Sequence, residues 1–323
     1  MAKITMREAL RQAMDEEMAR DENVFLMGED IGPFGGAMLV TQGLYEKYGE
    51  ERVIDTPISE VAITGAAIGA ALMGKRPIAE IMFADFFGLC ADQLINNAAK
   101  MRYSYDGALG CPMVLRACYG AGTHSGPHHS QSPEAWLTNA PGLKIVIPSN
   151  AYDAKGLLKS AVRDNDPVIF MEPKCFYGVK AEVPEEEYLV PIGKANVLKE
   201  GKDMTFITYG SIIPKAQRAA KILDEEGIDA EIIDLRTIRP LDVDTITESA
   251  KKTGRVVVAH EAPKFGGFGG EIAATIADKA FGYLDGPIIR VGAKETPVPF
   301  SPVLEDAYLP GIDDLVNAAK SLF

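Results

Sequence analysis

The sequence has few of the residues that metal and redox sites require. Its 323 residues include four cysteines and four histidines. Cys90, Cys111, Cys118 and Cys175 form no CxxC pair and no His-Cys spacing typical of zinc, so we expect free, largely buried thiols. No stretch is apolar enough to span a bilayer, and the amino terminus lacks an apolar signal core. These absences argue against a zinc protein, a disulfide scaffold and a membrane protein, and they favour a cytoplasmic location.

Positive charge is also scarce. The chain carries 33 Lys and Arg against 46 Asp and Glu, a formal net charge of −13. No basic surface dominates to displace counterions from phosphates, which argues against nucleic-acid binding. An acidic chain remains suited to a basic protein partner.

Short apolar runs alternate with helical patterns along the chain. Thr5 and Glu8 form a capping-box pattern before the first helix. Strands are predicted at residues 24–27, 77–82, 112–115, 144–147, 167–171, 204–209, 230–235, 255–259 and 287–291. Helices are predicted at residues 6–18, 61–74, 86–102, 152–163, 214–226, 243–253 and 271–281. Nearly continuous apolar strands between helices predict an α/β fold with parallel sheets covered on both faces.

The pattern changes at a charged, proline-bearing stretch. Residues 181–190 are therefore predicted to be a linker. It separates a first domain, 1–180, from a smaller second α/β domain, 191–323. Because doubly wound sheets bind ligands at the carboxyl ends of their strands, residues that follow strands are the candidates for a site.

Glu60 stands where a polar run meets a long apolar segment of small residues. Pro57 pushes Thr56 towards an extended conformation, and Ser59 can cap a helix that begins beside it. Burial raises the pKa of a carboxyl group, so a carboxylate at the mouth of an apolar helix suits proton sharing with a nitrogen heterocycle. The alternative is a first-turn Glu that faces water and interacts with the helix dipole.

The helix after Glu60 has one face almost without side chains. Gly65 and Gly69 share that face with Ala66 and Ala70. Small residues let another helix approach closely, so we expect a subunit interface beside Glu60.

Other candidates follow predicted strands. They are Glu29 with Asp30, Phe86, and a polar, glycine-rich loop at 120–132 that holds three of the four histidines. A histidine there titrates near neutrality and can donate a proton. The alternatives are a core position for Phe86, and a flexible surface loop or a metal pair for the histidines, although adjacent histidines rarely bind one ion together. The glycine cluster at 265–271 lacks the GxGxxG order and is interpreted as a tight turn before a helix.

Several ordered motifs occur along the chain. They are Asp55-Thr56-Pro57-Ile58-Ser59-Glu60, Ala84-Asp85-Phe86, Asp92-Gln93, His129-Ser130-Gln131-Ser132-Pro133-Glu134-Ala135, Pro141-Gly142-Leu143-Lys144, Asp153-Ala154-Lys155-Gly156-Leu157-Leu158, Asp234-Leu235-Arg236-Thr237-Ile238-Arg239-Pro240 and Thr296-Pro297-Val298-Pro299-Phe300. Together they resemble one family, the beta subunit of the thiamine-diphosphate-dependent decarboxylase component of 2-oxo acid dehydrogenase complexes. The resemblance runs from near residue 4 to the carboxyl end.

The resemblance implies two three-layer domains, a thiamine-binding, pyrimidine-type parallel-sheet domain and a transketolase C-terminal-like domain. Glu60 matches the glutamate that activates thiamine diphosphate, Phe86 the aromatic residue that stacks on its aminopyrimidine ring, and His129 the active-site histidine. We expect Glu29 beside the cofactor as well. The resemblance also implies a potassium loop that binds mainly through backbone carbonyls, at Met113, Ala161, Val162, Asp164 and Asp166.

The chain lacks the Gly-Asp-Gly motif with which such enzymes hold magnesium and diphosphate. The resemblance implies that an alpha subunit supplies that half in an α2β2 heterotetramer. It further implies reductive acylation of lipoyl groups and docking to the subunit-binding module of a lipoyl acyltransferase core. The expected substrate is pyruvate or a branched-chain 2-oxo acid. An acetoin dehydrogenase beta subunit and a non-catalytic assembly subunit of the same fold remain alternatives.

Overall fold

The computed structural model describes all residues, 1–323, and divides them into two compact units. Unit 1 comprises Met1–Tyr119 and Trp136–Ile192, and unit 2 comprises Gly120–Ala135 and Gly193–Phe323. The histidine-bearing loop therefore belongs to unit 2, whereas the predicted first domain, 1–180, included it. Contacts between residues that are distant in sequence place the loop in unit 2, and no change of composition in the sequence indicates this boundary.

In unit 1, six strands pair in parallel in the order β6-β7-β5-β4-β2-β3. A separate antiparallel pair joins β1 to β8, so the segment predicted as a linker starts inside a strand. The strands of unit 1 are β1 (Ala2–Thr5), β2 (Val24–Glu29), β3 (Val53–Thr56), β4 (Arg76–Phe83), β5 (Val114–Tyr119), β6 (Lys144–Val146), β7 (Val168–Pro173) and β8 (Lys180–Val183).

The first helix begins as its capping pattern predicts. The Glu8 N–H donates to Thr5 Oγ1 at 3.2 Å, and the Thr5 N–H donates to Glu8 Oε2 at 2.8 Å. The helices up to residue 163 are α1 (Met6–Arg20), α2 (Leu44–Tyr48), α3 (Glu60–Leu72), α4 (Met101–Ser104), α5 (Glu134–Thr138) and α6 (Ala151–Arg163).

The prediction of a single regular helix at residues 86–102 is wrong. The chain forms a 3₁₀ segment at Ala84–Gly88, a π-helical turn at Gln93–Asn97 and a further 3₁₀ turn at Ala98–Lys100 before α4. Gly88 and Asn97 are weak helix formers, and periodicity alone does not register such interruptions.

Unit 2 contains a five-stranded sheet in the order β14-β13-β10-β11-β9, parallel except for the edge strand β9. The strands of this unit are β9 (Asn196–Lys199), β10 (Met204–Thr208), β11 (Ala230–Asp234), β12 (Thr237–Arg239), β13 (Val256–Pro263) and β14 (Ile289–Ala293). Its helices are α7 (Ile213–Glu225), α8 (Val243–Thr253), α9 (Gly269–Ala280), α10 (Pro302–Tyr308) and α11 (Ile312–Lys320).

The prediction of an α/β fold with two parallel-sheet domains is confirmed. The glycine cluster is a turn, with Gly266 at a φ of 67°, followed by α9. No helix has both the length and the apolar character needed to cross a bilayer.

Candidate active site

Glu60 is the first residue of α3, which follows β3 at the carboxyl edge of the unit 1 sheet. Ser59 occupies the N-cap position, and its carbonyl accepts from the Ile63 N–H at 2.9 Å. The Ser59 hydroxyl makes no capping bond, which differs from the expected side-chain cap. Glu60 is half-buried, and its neighbour Ile58 is 74% exposed. The junction thus combines an acid with unusually exposed apolar groups.

A second carboxyl group lies beside it. Glu29 ends β2, which pairs in parallel with β3 so that Glu29 is opposite Thr56. Burial raises the pKa of the Glu29 carboxyl above its ordinary value, and the charges of Asp30, Glu60 and Asp55 raise it further. The structure therefore brings Glu29 and Glu60 together at one sheet edge, close enough for the charge of Glu60 to act on Glu29.

Two buried polar atoms in this region have no partner within the chain. They are Oγ1 of Thr56, at the end of β3, and Oε1 of Gln93, whose side chain faces Gly65 of α3. An unsatisfied buried polar atom costs about 1–3 kcal/mol. The region therefore has unused hydrogen-bonding capacity for a group that this chain does not supply.

Phe86 lies in the 3₁₀ segment after β4. Its neighbour Phe87 is buried in the core, whereas Phe86 remains half-buried. The Phe86 ring meets Phe83 edge to face, with centroids 6.1 Å apart and planes at 89°. The aromatic residue in the core is therefore Phe87. The ring of Phe86, for which a core position was the alternative, remains partly accessible at the carboxyl edge of the sheet.

The loop that carries His129 is anchored within unit 2 by buried carboxylates. Glu305 of α10 is fully buried and accepts from the His124 N–H at 3.1 Å, while His124 Nδ1 lies 2.6 Å from its Oε2. The His129 N–H donates to the Gly126 carbonyl at 3.4 Å. The loop is thus hydrogen-bonded to the body of unit 2, although His124 and His128 in it are exposed.

Glu261, at the end of β13, anchors the same loop at two further points. Its Oε1 accepts from the Ala121 N–H at 2.7 Å and from Ser132 Oγ at 2.9 Å, and its Oε2 accepts from Ser211 Oγ. Neither Glu261 nor Glu305 was predicted from the sequence to anchor the loop. The position of Glu261 after a buried strand was the available signal, whereas nothing in the local sequence connects Glu305 to a loop about 180 residues earlier.

Glu134 is a third buried carboxyl group of this region. The Tyr209 hydroxyl donates to its Oε1 at 2.8 Å. Burial raises the pKa of Glu134 to about 8, and the charge of Glu261 contributes to the rise. Glu134 is therefore protonated at neutral pH and stabilises the loop as a neutral acid.

Both units match known family models. Residues 2–179 match the transketolase pyrimidine binding domain, and residues 193–315 match the transketolase C-terminal domain. The chain is 49% identical to the acetoin:2,6-dichlorophenolindophenol oxidoreductase subunit beta of Cupriavidus necator, over 98% of this chain and 97% of the relative. It is 49% identical to the 2-oxoisovalerate dehydrogenase subunit beta of Bacillus subtilis, over 98% and 97%, and 47% identical to the pyruvate dehydrogenase E1 component subunit beta of Rhizobium meliloti, over 100% and 70%. The chain belongs to this family of dehydrogenase beta subunits.

A solved structure supports the fold of this beta-subunit family member. A split-gene transketolase, described as an inactive beta4 tetramer, matches with a TM-score of 0.81 and 26% identity, over 99% of this chain and 98% of that chain. The family predicted from the ordered motifs is confirmed.

The expected potassium ligands of this beta subunit lie where α6 ends and β5 begins. One guanidinium nitrogen, Arg76 Nη1, donates to the carbonyls of Val162 and Asp164 at 2.9 Å each. The Asp166 carboxylate accepts from Arg102 Nε at 2.5 Å. The two carbonyls thus converge on the Arg76 guanidinium, and Lys144 Nζ pairs with the Asp164 carboxylate at 2.6 Å, so cationic side chains already engage these oxygens, although each carbonyl retains a second lone pair. The complete expected set is Met113, Ala161, Val162, Asp164 and Asp166.

No group of three or more His, Cys, Asp or Glu side chains could hold a metal ion. His128 and His129 therefore do not contribute to a larger metal-ligating group within the chain. The four cysteines are free, with Cys175 partly buried and the others buried.

Proposed function

We propose that the chain is the beta subunit of a thiamine-diphosphate-dependent 2-oxo acid dehydrogenase that decarboxylates its substrate and acylates lipoyl groups with an alpha partner. The observation that carries the proposal is Glu60 at the head of α3, beside Glu29 and at the same sheet edge as Phe86. A scaffold has no need for an acid placed in this way. The family of the chain agrees with this interpretation.

The residues at this edge fit the pyrimidine half of the cofactor. Glu60 would hold a proton at the ring nitrogen N1′, Phe86 would stack on the ring, and Glu29 would lie beside them. The unpartnered oxygens of Thr56 and Gln93 supply further hydrogen-bonding capacity there. When bound, thiamine diphosphate supplies a carbon nucleophile and an electron sink for decarboxylation. Magnesium and the diphosphate require the alpha partner, because this chain has no Gly-Asp-Gly motif.

Glu60 acts by changing the protonation of a bound ring. Enclosure by a partner removes water and strengthens the hydrogen bond that Glu60 makes. Burial and the neighbouring carboxylates, Glu60 among them, raise the pKa of Glu29, so this side chain binds a proton more readily than an isolated glutamate. His129 would orient the substrate or assist acyl transfer to the lipoyl group, as a proton donor on an anchored loop.

The outer face of α3 supports an intersubunit location. Val61, Ala62, Ala66 and Gly69 are exposed on it, and a Cβ added at Gly69 would meet no atom of this chain within 4 Å. Internal packing therefore does not require glycine at this position. Close approach of a helix from another subunit would require glycine there, and an α2β2 heterotetramer would provide such a helix.

Three relatives of similar sequence identity leave three substrates open for this chain. Their names specify acetoin, 2-oxoisovalerate and pyruvate. Residues 129–135 and 260–263 resemble branched-chain members, whereas 149–152 and 296–304 resemble pyruvate or acetoin members. We propose a 2-oxo acid, with acetoin as the alternative, and steady-state rates with pyruvate, 3-methyl-2-oxobutanoate and acetoin in the presence of the partner would decide.

Glu60→Gln in the reconstituted heterotetramer tests the proposal. The amide keeps the shape but cannot share a proton in the same way, so we expect most turnover to be lost while assembly is retained. Glu46→Gln, in the first turn of α2, is the matched control and should leave turnover unchanged. Full activity of Glu60→Gln would support the non-catalytic assembly subunit instead. Decarboxylation by this chain without a partner would contradict the shared active site.

Three further elements complete the proposal. Potassium binds at the end of α6, sharing carbonyls with Arg76. The carboxyl-terminal segment docks to the subunit-binding module of a lipoyl acyltransferase core. The location is cytoplasmic.

A further inference from the structure

Unit 2 contains a cavity of about 230 Å³ at the carboxyl ends of β13 and β14. Lys264, Arg290 and Lys294 line it, together with one carboxylate, Asp314. Parallel α/β sheets commonly bind ligands at this edge. A concentration of cations is unexpected on a chain with a net charge of −13. We call this cavity the basic pocket.

The positive charges of the basic pocket are not neutralised by the chain itself. The ammonium groups of Lys264 and Lys294 make no hydrogen bond or ion pair within the chain. Arg290 makes one side-chain bond, from Nη1 to the Lys264 carbonyl at 3.0 Å, and pairs with no carboxylate. The other lysines and arginines of unit 2 include many ion-paired examples, such as Lys199 with Asp229 at 2.7 Å. Three uncompensated cations facing one cavity provide donors for an anion.

The floor of the pocket depends on a glycine. A Cβ added at Gly292 would lie 2.7 Å from the Ala262 carbonyl oxygen and 3.0 Å from Lys264 Cγ. The same Cβ would lie 3.2 Å from Cε1 of the buried His260. Burial lowers the pKa of His260 to about 4, so this ring is neutral and adds no charge. The donors of the pocket are therefore the three cations at its walls.

The single acid of the pocket is partly engaged. Asp314 accepts from the Gly311 N–H at 2.7 Å through Oδ2, and its other oxygen has no partner within the chain. A carboxylate oxygen facing an anion site repels a bare anion, but it accepts a hydrogen bond from a hydroxyl group. The pocket therefore combines donors for an anionic group with an acceptor for a neutral one.

We propose that the basic pocket binds a small phosphate monoester that carries a hydroxyl group. Arg290 offers a planar fork for the phosphate oxygens, and the two lysines add point charges that suit a dianion. Ligand pockets typically measure about 300–1,000 Å³, so this smaller volume suits a compound of few atoms beyond the phosphate. Asp314 would accept from the hydroxyl group. The lining residues of the basic pocket belong to unit 2, whereas Glu29, Glu60 and Phe86 of the proposed cofactor site belong to unit 1.

Calorimetry on the full chain with glycerol 3-phosphate and, separately, with inorganic phosphate tests the proposal. We expect glycerol 3-phosphate to bind more tightly than inorganic phosphate. Arg290→Gln and Lys294→Met should each weaken glycerol 3-phosphate binding by about tenfold or more, because each removes a charged donor. Lys279→Met, on the exposed surface of α9, is the matched control and should bind like the wild type.

Thermal midpoints of the variants show that they fold, since the three replaced side chains are exposed. Absence of binding at about 10 mM, or equal binding by the wild type and both pocket variants, would overturn the site. Inorganic phosphate that binds as tightly as the ester would overturn the assignment of a hydroxylated ester. Asp314→Asn separates the two parts. It should strengthen inorganic phosphate binding and weaken the preference for the ester, and an unchanged or stronger preference would contradict the role of Asp314.

Discussion

His124 Nδ1 lies 2.6 Å from Oε2 of Glu305, a carboxylate that is fully buried in α10 although its partner belongs to a loop about 180 residues earlier in the chain. The same carboxylate accepts the His124 N–H. Because His124 adopts a φ of 57°, uncommon for a residue with a side chain, these two bonds also hold an unfavourable backbone conformation. The geometry of the His129 loop thus depends on a residue that contacts neither cofactor nor substrate in our proposal.

Glu305→Gln should loosen this loop. Both the His124 N–H and His124 Nδ1 contact Oε2, and the amide oxygen carries no charge, so both contacts weaken, by about 1 kcal/mol each. Hydrogen exchange should show faster exchange for residues 121–126 than in the wild type. Asp306→Asn, on the exposed face of the same helix, is the control. Unchanged protection in Glu305→Gln would mean that the loop is held by Glu261 alone.

Glu134 makes the stability of unit 2 depend on pH. Its pKa is about 8 in the folded chain against about 4.3 in an unfolded one. When the pKa of a carboxyl group is higher in the folded chain than in the unfolded chain, its contribution to stability is complete at pH values below the unfolded pKa. That contribution is lost as the pH rises through the folded pKa. We therefore expect the thermal midpoint of the wild type to fall between about pH 5 and pH 8. Glu134→Gln, which stays neutral, should show a smaller fall over that range, and equal slopes would contradict the raised pKa.

Potassium should stabilise unit 1 if the proposed site is correct. The carbonyls of Val162 and Asp164 accept from Arg76 and keep one lone pair each for a cation. The thermal midpoint should be higher in potassium chloride than in choline chloride at equal ionic strength. Asp166→Ala removes a charged oxygen of the set and should reduce that difference. Equal midpoints for the wild type in both salts would indicate that the Arg76 guanidinium alone neutralises these carbonyls.

Short sequence patterns predicted the secondary structure correctly where the tertiary packing favours the same element. The capping box at Thr5, the strand before Glu29 and the helix after Ser59 are all where their patterns place them. Each of these depends on a few consecutive residues. The family resemblance added the roles of Glu60, Phe86 and His129, which spacing alone left open.

The remainder depends on contacts between distant residues, which no local pattern contains. The helix predicted at 86–102 is divided by 3₁₀ and π turns, and the loop after residue 119 joins unit 2. Glu261 and Glu305 anchor that loop from positions whose sequence neighbours are ordinary. The lining of the basic pocket likewise comes from separate turns that meet only in the folded sheet.

The carboxyl terminus is the proposed docking element for a basic partner, and its environment makes a sharper test possible. Phe323 is 60% exposed, and the Arg255 guanidinium lies 4.5 Å from its ring centroid. Arg255 Nε also donates to the Leu322 carbonyl at 3.1 Å. Residues 315–323 contain no acidic side chain, and the acidic side chains that precede them, Asp313 and Asp314, lie in the first turn of α11.

Deletion of residues 321–323 should weaken binding to the acyltransferase module at low salt, because it removes the exposed ring of Phe323. Because the deletion also removes the largely buried Leu322, a second variant is needed that keeps the packing. Phe323→Ala retains Leu322 and removes only the exposed ring. Surface plasmon resonance should show weaker binding for both variants, since exposed aromatic side chains commonly anchor interfaces. Binding that is unchanged in both would exclude residues 321–323 as the docking element.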